Sequence, residues 1–232
     1  MRTLAALALI AGENVLDAGC GTGLLLEQQA GAVGESGRAV GIDLSDDMLA
    51  VARRRCADLK QVELRQGSVD SLDFADASFD AVSCAQTLLY VENHDTALTE
   101  FCRVLKPGGR IAIVETDWRG AILNHPDPDL TRKLFDALDH ARSSPLLVRQ
   151  MRPLLKRTGF GTIRVEAIPL LNAGYSANSF SAEMLANLVP TARKQNRVGE
   201  TEAQNWLDQL DELEQSDEYF FCVNRFLFTA VK

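Results

Sequence analysis

The first half of the chain alternates short apolar runs with amphipathic stretches, the pattern of βαβ units that build a parallel sheet. Asn14–Ala18 reads as a first buried strand, Leu24–Ala30 as the helix after it, and Arg38–Asp43 as a second strand. Ser45 followed by Asp46 and Asp47 sets a cap oxygen and two carboxylates where a helix start has free N–H groups, so a helix is predicted from Asp46 to about Ala57. Val62–Gln66 and Phe79–Cys84 follow as strands three and four, across the polar loop 67–78. A helix over Thr96–Leu105 stops at Lys106-Pro-Gly-Gly109, and Arg110–Glu115 is the fifth strand.

The character changes after Trp118. A proline-containing loop, 124–128, leads to helices predicted at about Asp129–Arg142 and Leu146–Arg157, then to a strand at Thr162–Leu171. Two further helices are predicted at Ala182–Lys194, weakly capped, and Thr201–Gln215, where Thr201 and Gln204 stand at capping-box spacing. Tyr219–Val231, rich in aromatic and β-branched residues, reads as a closing strand packed into the core. The expectation is a single doubly wound α/β domain.

Composition narrows the function classes. With 232 residues, 46% hydrophobic and 24% charged, the chain can bury a sizeable core without staples, and no apolar run approaches the roughly 18 residues that cross a bilayer. Residues Leu4–Ala11 are apolar but lack a basic lead and a cleavage pattern, and read as the end of a core helix rather than a leader. A formal charge of −8 argues against nucleic acid as a partner. The five cysteines stand singly, with no paired spacing and no histidine at ligand distance, which points to reduced thiols, no metal and a cytoplasmic location.

The chemistry concentrates where the first strand turns into its helix. In Val15-Leu-Asp-Ala-Gly-Cys-Gly-Thr-Gly23 the glycines let a ligand approach the backbone, and the helix start offers unpaired N–H groups. The nicotinamide fingerprint needs a glycine at position 24, which is Leu24, so that pattern fails. Asp43, closing the second strand, stands at the distance from the turn suited to the two hydroxyls of a ribose. The ligand is expected to contain a nucleoside.

These residues resemble the class I methyltransferases that use S-adenosylmethionine, in particular the small-molecule group of the ubiquinone-biosynthesis type. Asp17-Ala-Gly-Cys-Gly-Thr-Gly23, Asp43, Gly67-Ser68, Asp76-Ala-Ser-Phe-Asp80 and Arg103-Val-Leu-Lys-Pro-Gly-Gly109 occur in the family's order and spacing, over residues 12–116. The resemblance implies a seven-stranded, mostly parallel Rossmann-like sheet with an antiparallel last strand. The cofactor core would span about 12–117, with helical cap segments at about 118–160 and 174–218. It implies Asp17, Gly19, Cys20 and Gly21 around the methionine part, Asp43 on the ribose, Leu44, Met48, Ser68 and Val69 about the adenine, and Ala85 and Gln86 over the sulfonium. Many relatives carry aspartate where Ser68 stands, which leaves Asp70 as an alternative adenine contact. Relatives also carry one or two helices before the first strand, so either the site is open or a second copy of the chain covers it in a homodimer.

Ligands of open α/β sheets lie beyond the carboxyl ends of the strands. That places Gln86, Tyr90, Glu115, Trp118 and Tyr175 as candidate acceptor contacts and Tyr90, Asp117 and His125 as candidate catalytic groups. His94 and His140 read as residues of exposed helix ends or faces, and Cys20 as a loop-packing residue with no base beside it. Gly23 reads equally well as a helix-packing glycine. The expected reaction is direct in-line transfer of the methyl group to an O, N or C atom of a small molecule, with S-adenosylhomocysteine as product. The rivals are a cofactor-binding regulator without transfer, a methyltransferase of protein or nucleic acid, and a nicotinamide-dependent reductase. Cys84-Ala-Gln-Thr87 lacks the motif of enzymes that methylate base amino groups.

Overall fold

The computed structural model describes residues 2–140, 144–176 and 179–232; of residues 138–140 it describes the backbone only. In chain order the elements are α1 (Arg2–Leu7), β1 (Asn14–Ala18), α2 (Leu24–Val33), β2 (Arg38–Asp43), α3 (Asp46–Arg55), β3 (Val62–Gln66), β4 (Phe79–Ala85), α4 (His94–Val104) and β5 (Leu105–Thr116). Then follow β6 (Ile122–Leu123), α5 (Pro128–His140), α6 (Leu147–Arg157), β7 (Gly161–Asn172), α7 (Phe180–Lys194), α8 (Glu200–Gln215) and β8 (Phe221–Val231). The chain groups into two compact units: 1–115 with 149–166 and 226–232, and 116–148 with 167–225. The expected end of one helix at Arg142 and the side chain of His140 fall outside the described residues.

In the first unit β1 is the central strand, paired in parallel with β2 on one side and β4 on the other, and it is buried from Val15 onward. A strand covered on both faces needs a continuous apolar run, which Val15 and Leu16 begin. The parallel register extends to β3 beyond β2 and to β5 beyond β4. Leu25, Leu26, Ala30 and Val33 of α2 and Ala97, Leu98, Phe101 and Val104 of α4 bury the apolar stripes of those helices. Because Asp17 lies beside Gly41 on one neighbour and Ser83 on the other, the ends of β1, β2 and β4 finish level and their following loops share one edge of the sheet.

The two phrases Asp76–Asp80 and Arg103–Gly109 clamp each other. Arg103 Nη1 donates to Asp76 Oδ1 at 2.7 Å, and Lys106 Nζ donates to Asp80 Oδ1 at 2.7 Å. Asp80 Oδ2 accepts from the Asn14 N–H at 2.8 Å, so the same carboxylate ties down the start of the central strand. Here α4 ends at Val104 and β5 begins at Leu105, five residues earlier than expected: Leu105 pairs with Phe79, and the Lys106–Gly109 stretch is absorbed as an irregularity of the ladder. Arg110 carries two N–H groups to the Glu13 carboxylate, at 2.7 and 2.6 Å, and another to the Leu7 carbonyl at 2.5 Å, which fastens α1 to the sheet.

In the second unit Leu134 of α5, Leu185 and Leu188 of α7, and Trp206 and Leu210 of α8 close a core around Phe221. The two-residue β6 pairs antiparallel with Phe221–Cys222, which makes eight strands among the described residues rather than the expected seven. The closing strand is antiparallel to β5, as expected: Lys232 exchanges backbone hydrogen bonds with Gly108 and Gly109 in the first unit, and the Asp117 N–H donates to Asn224 in the second. Helix α7 starts two residues before the expected Ala182, with Ser179 Oγ accepting from the Ala182 N–H, so the start read as weakly capped has a side-chain cap. The α8 cap is also displaced: the Glu202 carboxylate accepts from the Gly199 N–H at 3.3 Å, in place of a Thr201–Gln204 box. No helix among the described residues is long and apolar enough to cross a membrane.

Candidate functional site

The turn between β1 and α2 is held from below. The N–H groups of Gly19 and Cys20 both donate to the Ile42 carbonyl at 2.8 Å, so the end of β2 fixes the first half of the turn. Gly19 has φ 76°, and a Cβ there would lie 2.2 Å from Thr87 Oγ1. Gly21, at φ 52°, has open space where a side chain would stand. Its N–H donates to Asp43 Oδ2 at 2.8 Å. Gly23 packs on α3, where a Cβ would meet Ala52 Cβ at 3.0 Å.

Asp43 serves two loops at once. Its second oxygen, Oδ1, accepts from the Ser45 N–H at 2.9 Å, while Ser45 Oγ caps α3 by accepting from Met48 N–H. A carboxylate oxygen has two acceptor positions, so each keeps one for a ligand hydroxyl. Beside it Leu44 and Met48 present apolar surface, 68% and 46% exposed.

These groups open on a cleft of about 670 Å³. Of the expected cofactor contacts, Gly19, Gly21, Asp43, Leu44, Met48, Ser68, Val69, Ala85 and Gln86 line it, and so does Tyr90. Ser68 donates to Asp70 Oδ1 at 2.5 Å, and Asp70 lines the cleft as well. Sequence reasoning missed Thr87, Val91 and Glu92. A usable signal was the polar-apolar mixture just after strand four, where a loop beyond a strand end follows. Among the described residues Asp43, Asp70 and Glu92 give the lining three carboxylates and no lysine or arginine.

Asp17 and Cys20, expected beside the methionine part, are buried beneath the turn. Asp17 is 1% exposed, and Ser83 donates to its Oδ1 at 2.6 Å. Burial pushes its carboxyl up to about 6, the Ser83 hydrogen bond opposes this and the Asp43 charge adds to it. Burial, with Asp17 and Asp43 nearby, drives the Cys20 thiol far up, so it is held as a thiol.

The remaining candidates divide. Gln86, at φ 56°, sends its backbone N–H and its Nε2 to the Val114 carbonyl, at 2.8 and 3.1 Å, which fixes the loop after β4. Tyr90, 65% exposed, stands in the short 3-10 turn Leu88–Tyr90. Glu115, read as an acceptor contact, is instead fully buried, and its Oε1 accepts from the N–H groups of Thr87 and Leu88 at 3.0 and 2.7 Å. It shapes the loop that bears Thr87 and Tyr90. His94 Nε2 lies 3.0 Å from the Leu88 carbonyl.

Four candidates belong to the second unit. Asp117 begins the turn Trp118–Gly120, its carbonyl accepting from the Gly120 N–H. Trp118 stacks on Phe180 at 6.4 Å, and Tyr175 packs on Tyr219 at 5.1 Å. Burial raises the Tyr175 phenol above its ordinary value, with the Asp211 charge adding to the rise. His125, read as a catalytic candidate, is 8% exposed and stacked on Trp206. Its Nε2 lies 3.1 Å from the Trp206 carbonyl and its Nδ1 accepts from the Asp127 N–H at 3.0 Å. With both ring nitrogens occupied and burial lowering its pKa, it is a neutral packing residue rather than a proton carrier.

Residues 16–113 match a family model described as a methyltransferase domain. An uncharacterized protein of transposon TN4556 from Streptomyces fradiae is 34% identical over 86% of this chain and 58% of its own length. The demethylmenaquinone methyltransferase of Bacillus cereus (strain B4264) is 42% identical over 45% of this chain and 45% of its own. The chain thus spans about half the length of the curated relatives it matches. Among solved structures, phosphoethanolamine N-methyltransferase 2 of Haemonchus contortus, in complex with S-adenosyl-L-methionine, shares the fold with TM-score 0.62 and 22% identity, over all of this chain and 52% of that one. The segment that forms the glycine turn, Asp43 and the first five strands is thus similar in sequence to a methyltransferase domain.

Proposed function

We propose that the protein moves the methyl group of S-adenosylmethionine to a small-molecule acceptor. The observation that carries this is the joint between Gly21 and Asp43: one backbone N–H holds the carboxylate across the mouth of the cleft with an acceptor position left on each oxygen. A ribose diol fits that carboxylate, and the missing side chain at Gly21 leaves room for the chain of the ligand to pass. Among the described residues three carboxylates and no basic side chain line the cleft, which suits a cationic ligand and disfavours a pyrophosphate.

When bound, the cofactor supplies an electrophilic methyl carbon on its sulfonium. The residues of this chain then act by positioning: Leu44, Met48 and Val69 offer apolar surface to the adenine, and Gln86, Thr87 and Tyr90 border the opposite end of the cleft. Tyr90 is one of the groups on this cleft suited to hold or take a proton from an O–H or N–H acceptor. The small-molecule reading is supported by the names of the Bacillus and Haemonchus proteins and by the charge of −8, which opposes nucleic acid.

The test is calorimetry with S-adenosylhomocysteine and with NADH, followed by transfer of a labelled methyl group to a panel of small phenols, quinols and amines. Binding of the first ligand alone, with label moving to a panel member, supports the reading. Binding of NADH in preference overturns it, and cofactor binding with neither transfer nor slow hydrolysis favours a regulator.

A further inference from the structure

Beneath the glycine turn three polar side chains lie in a row without solvent: Asp17 at 1% exposure, and Ser83 and Gln29 at zero. Gln29 Nε2 donates to Ser83 Oγ at 2.7 Å, and the Ser83 hydroxyl donates to Asp17 Oδ1 at 2.6 Å. The alternative acceptor for that hydroxyl, the Leu16 carbonyl, is 3.4 Å away and too far to compete. Gln29 Oε1 is buried with no hydrogen-bond partner among the described residues.

An unused amide oxygen in a core costs on the order of 1–3 kcal/mol, so a glutamine is a poor choice for a one-way donor. Its merit is that half a turn of the amide exchanges donor for acceptor. With a proton on Asp17 every bond in the row can reverse: the carboxyl donates to Ser83 Oγ, and the Ser83 hydroxyl donates to Gln29 Oε1. Leucine or methionine would fill the same space and support neither state.

We propose that Ser83 and Gln29 are positioning residues, a reversible hydrogen-bond chain that sets the proton on Asp17, so that a cation seated at the glycine turn expels that proton. The inference rests on the proposed function in taking the ammonium group of the cofactor as the cation. The groups facing Asp17 are few. Asp43 on β2 is the neighbouring carboxylate, and Cys20 in the turn and Cys84 on β4 are thiols that burial keeps protonated. None is basic, so the proton balance at Asp17 falls to the ligand and to the Ser83 row. The position of the titration supports this, since burial places the carboxyl at about 6, within reach of a bound charge.

Two measurements test it. The first is a carbon-13 titration of the aspartate carboxyl carbons in the ligand-free full chain, with Asp17→Asn to identify the resonance. Loss of one charge-assisted hydrogen bond in Ser83→Ala is expected to move the Asp17 midpoint up by about one pH unit, and Gln29→Leu to move it the same way by less. The second is calorimetry of S-adenosylhomocysteine between pH 5 and 8. Affinity is expected to fall about tenfold per pH unit below the midpoint, to follow the midpoint in each variant, and to lose this dependence in Asp17→Asn. An unmoved midpoint in both Ser83→Ala and Gln29→Leu, each shown to be folded by its thermal transition, overturns the chain. Binding that ignores the protonation of Asp17 overturns the coupling. If the wild-type protein does not bind the ligand at any pH, the functional reading falls with the coupling, and the titration still decides the hydrogen-bond chain.

Discussion

Gly19 and Thr87 approach so closely that a single carbon cannot be placed between them: a Cβ on Gly19 would stand 2.2 Å from Thr87 Oγ1 and 2.8 Å from Thr87 Cβ. The contact joins the turn after β1 to the loop after β4, so the two walls of the cleft are spaced by the absence of a side chain. Gly19→Ala is expected to weaken S-adenosylhomocysteine binding by at least about tenfold, from left-handed strain of about 1–2 kcal/mol and the displacement of Thr87. Adding Thr87→Gly removes the collision but leaves the φ of 76°, so recovery is expected to be partial. Calorimetry on the two variants checks both halves.

Asp43 carries the second joint. Asp43→Ala deprives the Gly21 and Ser45 N–H groups of their acceptor, besides removing the proposed ribose contact. A loss of about 1–3 kcal/mol in cofactor binding is expected, which is roughly 5- to 150-fold. Asp43→Asn keeps one acceptor oxygen and is expected to fall between the variant and the wild type. Equal affinity of wild type and Asp43→Ala for S-adenosylhomocysteine would remove the basis of the functional reading.

The sites that were legible in the sequence are those whose geometry is local. The glycine turn, the acid at the end of β2 and the Ser45 cap each follow from residues a few positions apart, and each stands where the pattern of strand, turn and helix puts it. What stayed hidden arises from register between distant segments. Ser83 meets Asp17 because β1 and β4 are neighbours with those two residues paired, a relationship across 66 positions. Thr87 enters the cleft by the same pairing. Glu115 and His125 were misread because a polar residue near a strand end suggests a ligand contact, whereas backbone N–H and carbonyl groups had already claimed them. The Lys106–Gly109 stretch was read as a break because proline and two glycines end a helix, yet the same residues can run into an irregular strand.

Glu115 offers a test of that framework role. Glu115→Ala leaves the N–H groups of Thr87 and Leu88 without their acceptor at a buried position, and about 2–4 kcal/mol of stability is expected to be lost. Glu115→Gln retains an acceptor oxygen and is expected to lose much less. Urea denaturation separates the two. Because the loop carries Tyr90, the alanine variant is also expected to bind S-adenosylhomocysteine more weakly at temperatures where it remains folded.

His125 makes the second unit acid-sensitive. Its Nδ1 accepts from the Asp127 N–H, so a proton on that nitrogen breaks a hydrogen bond and places a charge against Trp206. Burial is the main cause that lowers its pKa in the folded chain, against the opposing hydrogen bonds and the Asp127 charge. The unfolded chain therefore takes up the proton first, near the ordinary value of about 6.5. Above that pH the residue is neutral in both states and its contribution to stability is complete. As the pH falls from there toward the lowered folded value, stability is expected to drop by at most about 1.4 kcal/mol per pH unit. In His125→Gln this increment is expected to vanish, since the amide supplies a donor and an acceptor and does not titrate. Both tryptophans, Trp118 and Trp206, lie in the second unit, so their fluorescence during urea denaturation at pH 5 and pH 7.5 reports on it directly. An equal loss of stability in the wild type and His125→Gln between those two pH values would move the acid sensitivity to another group.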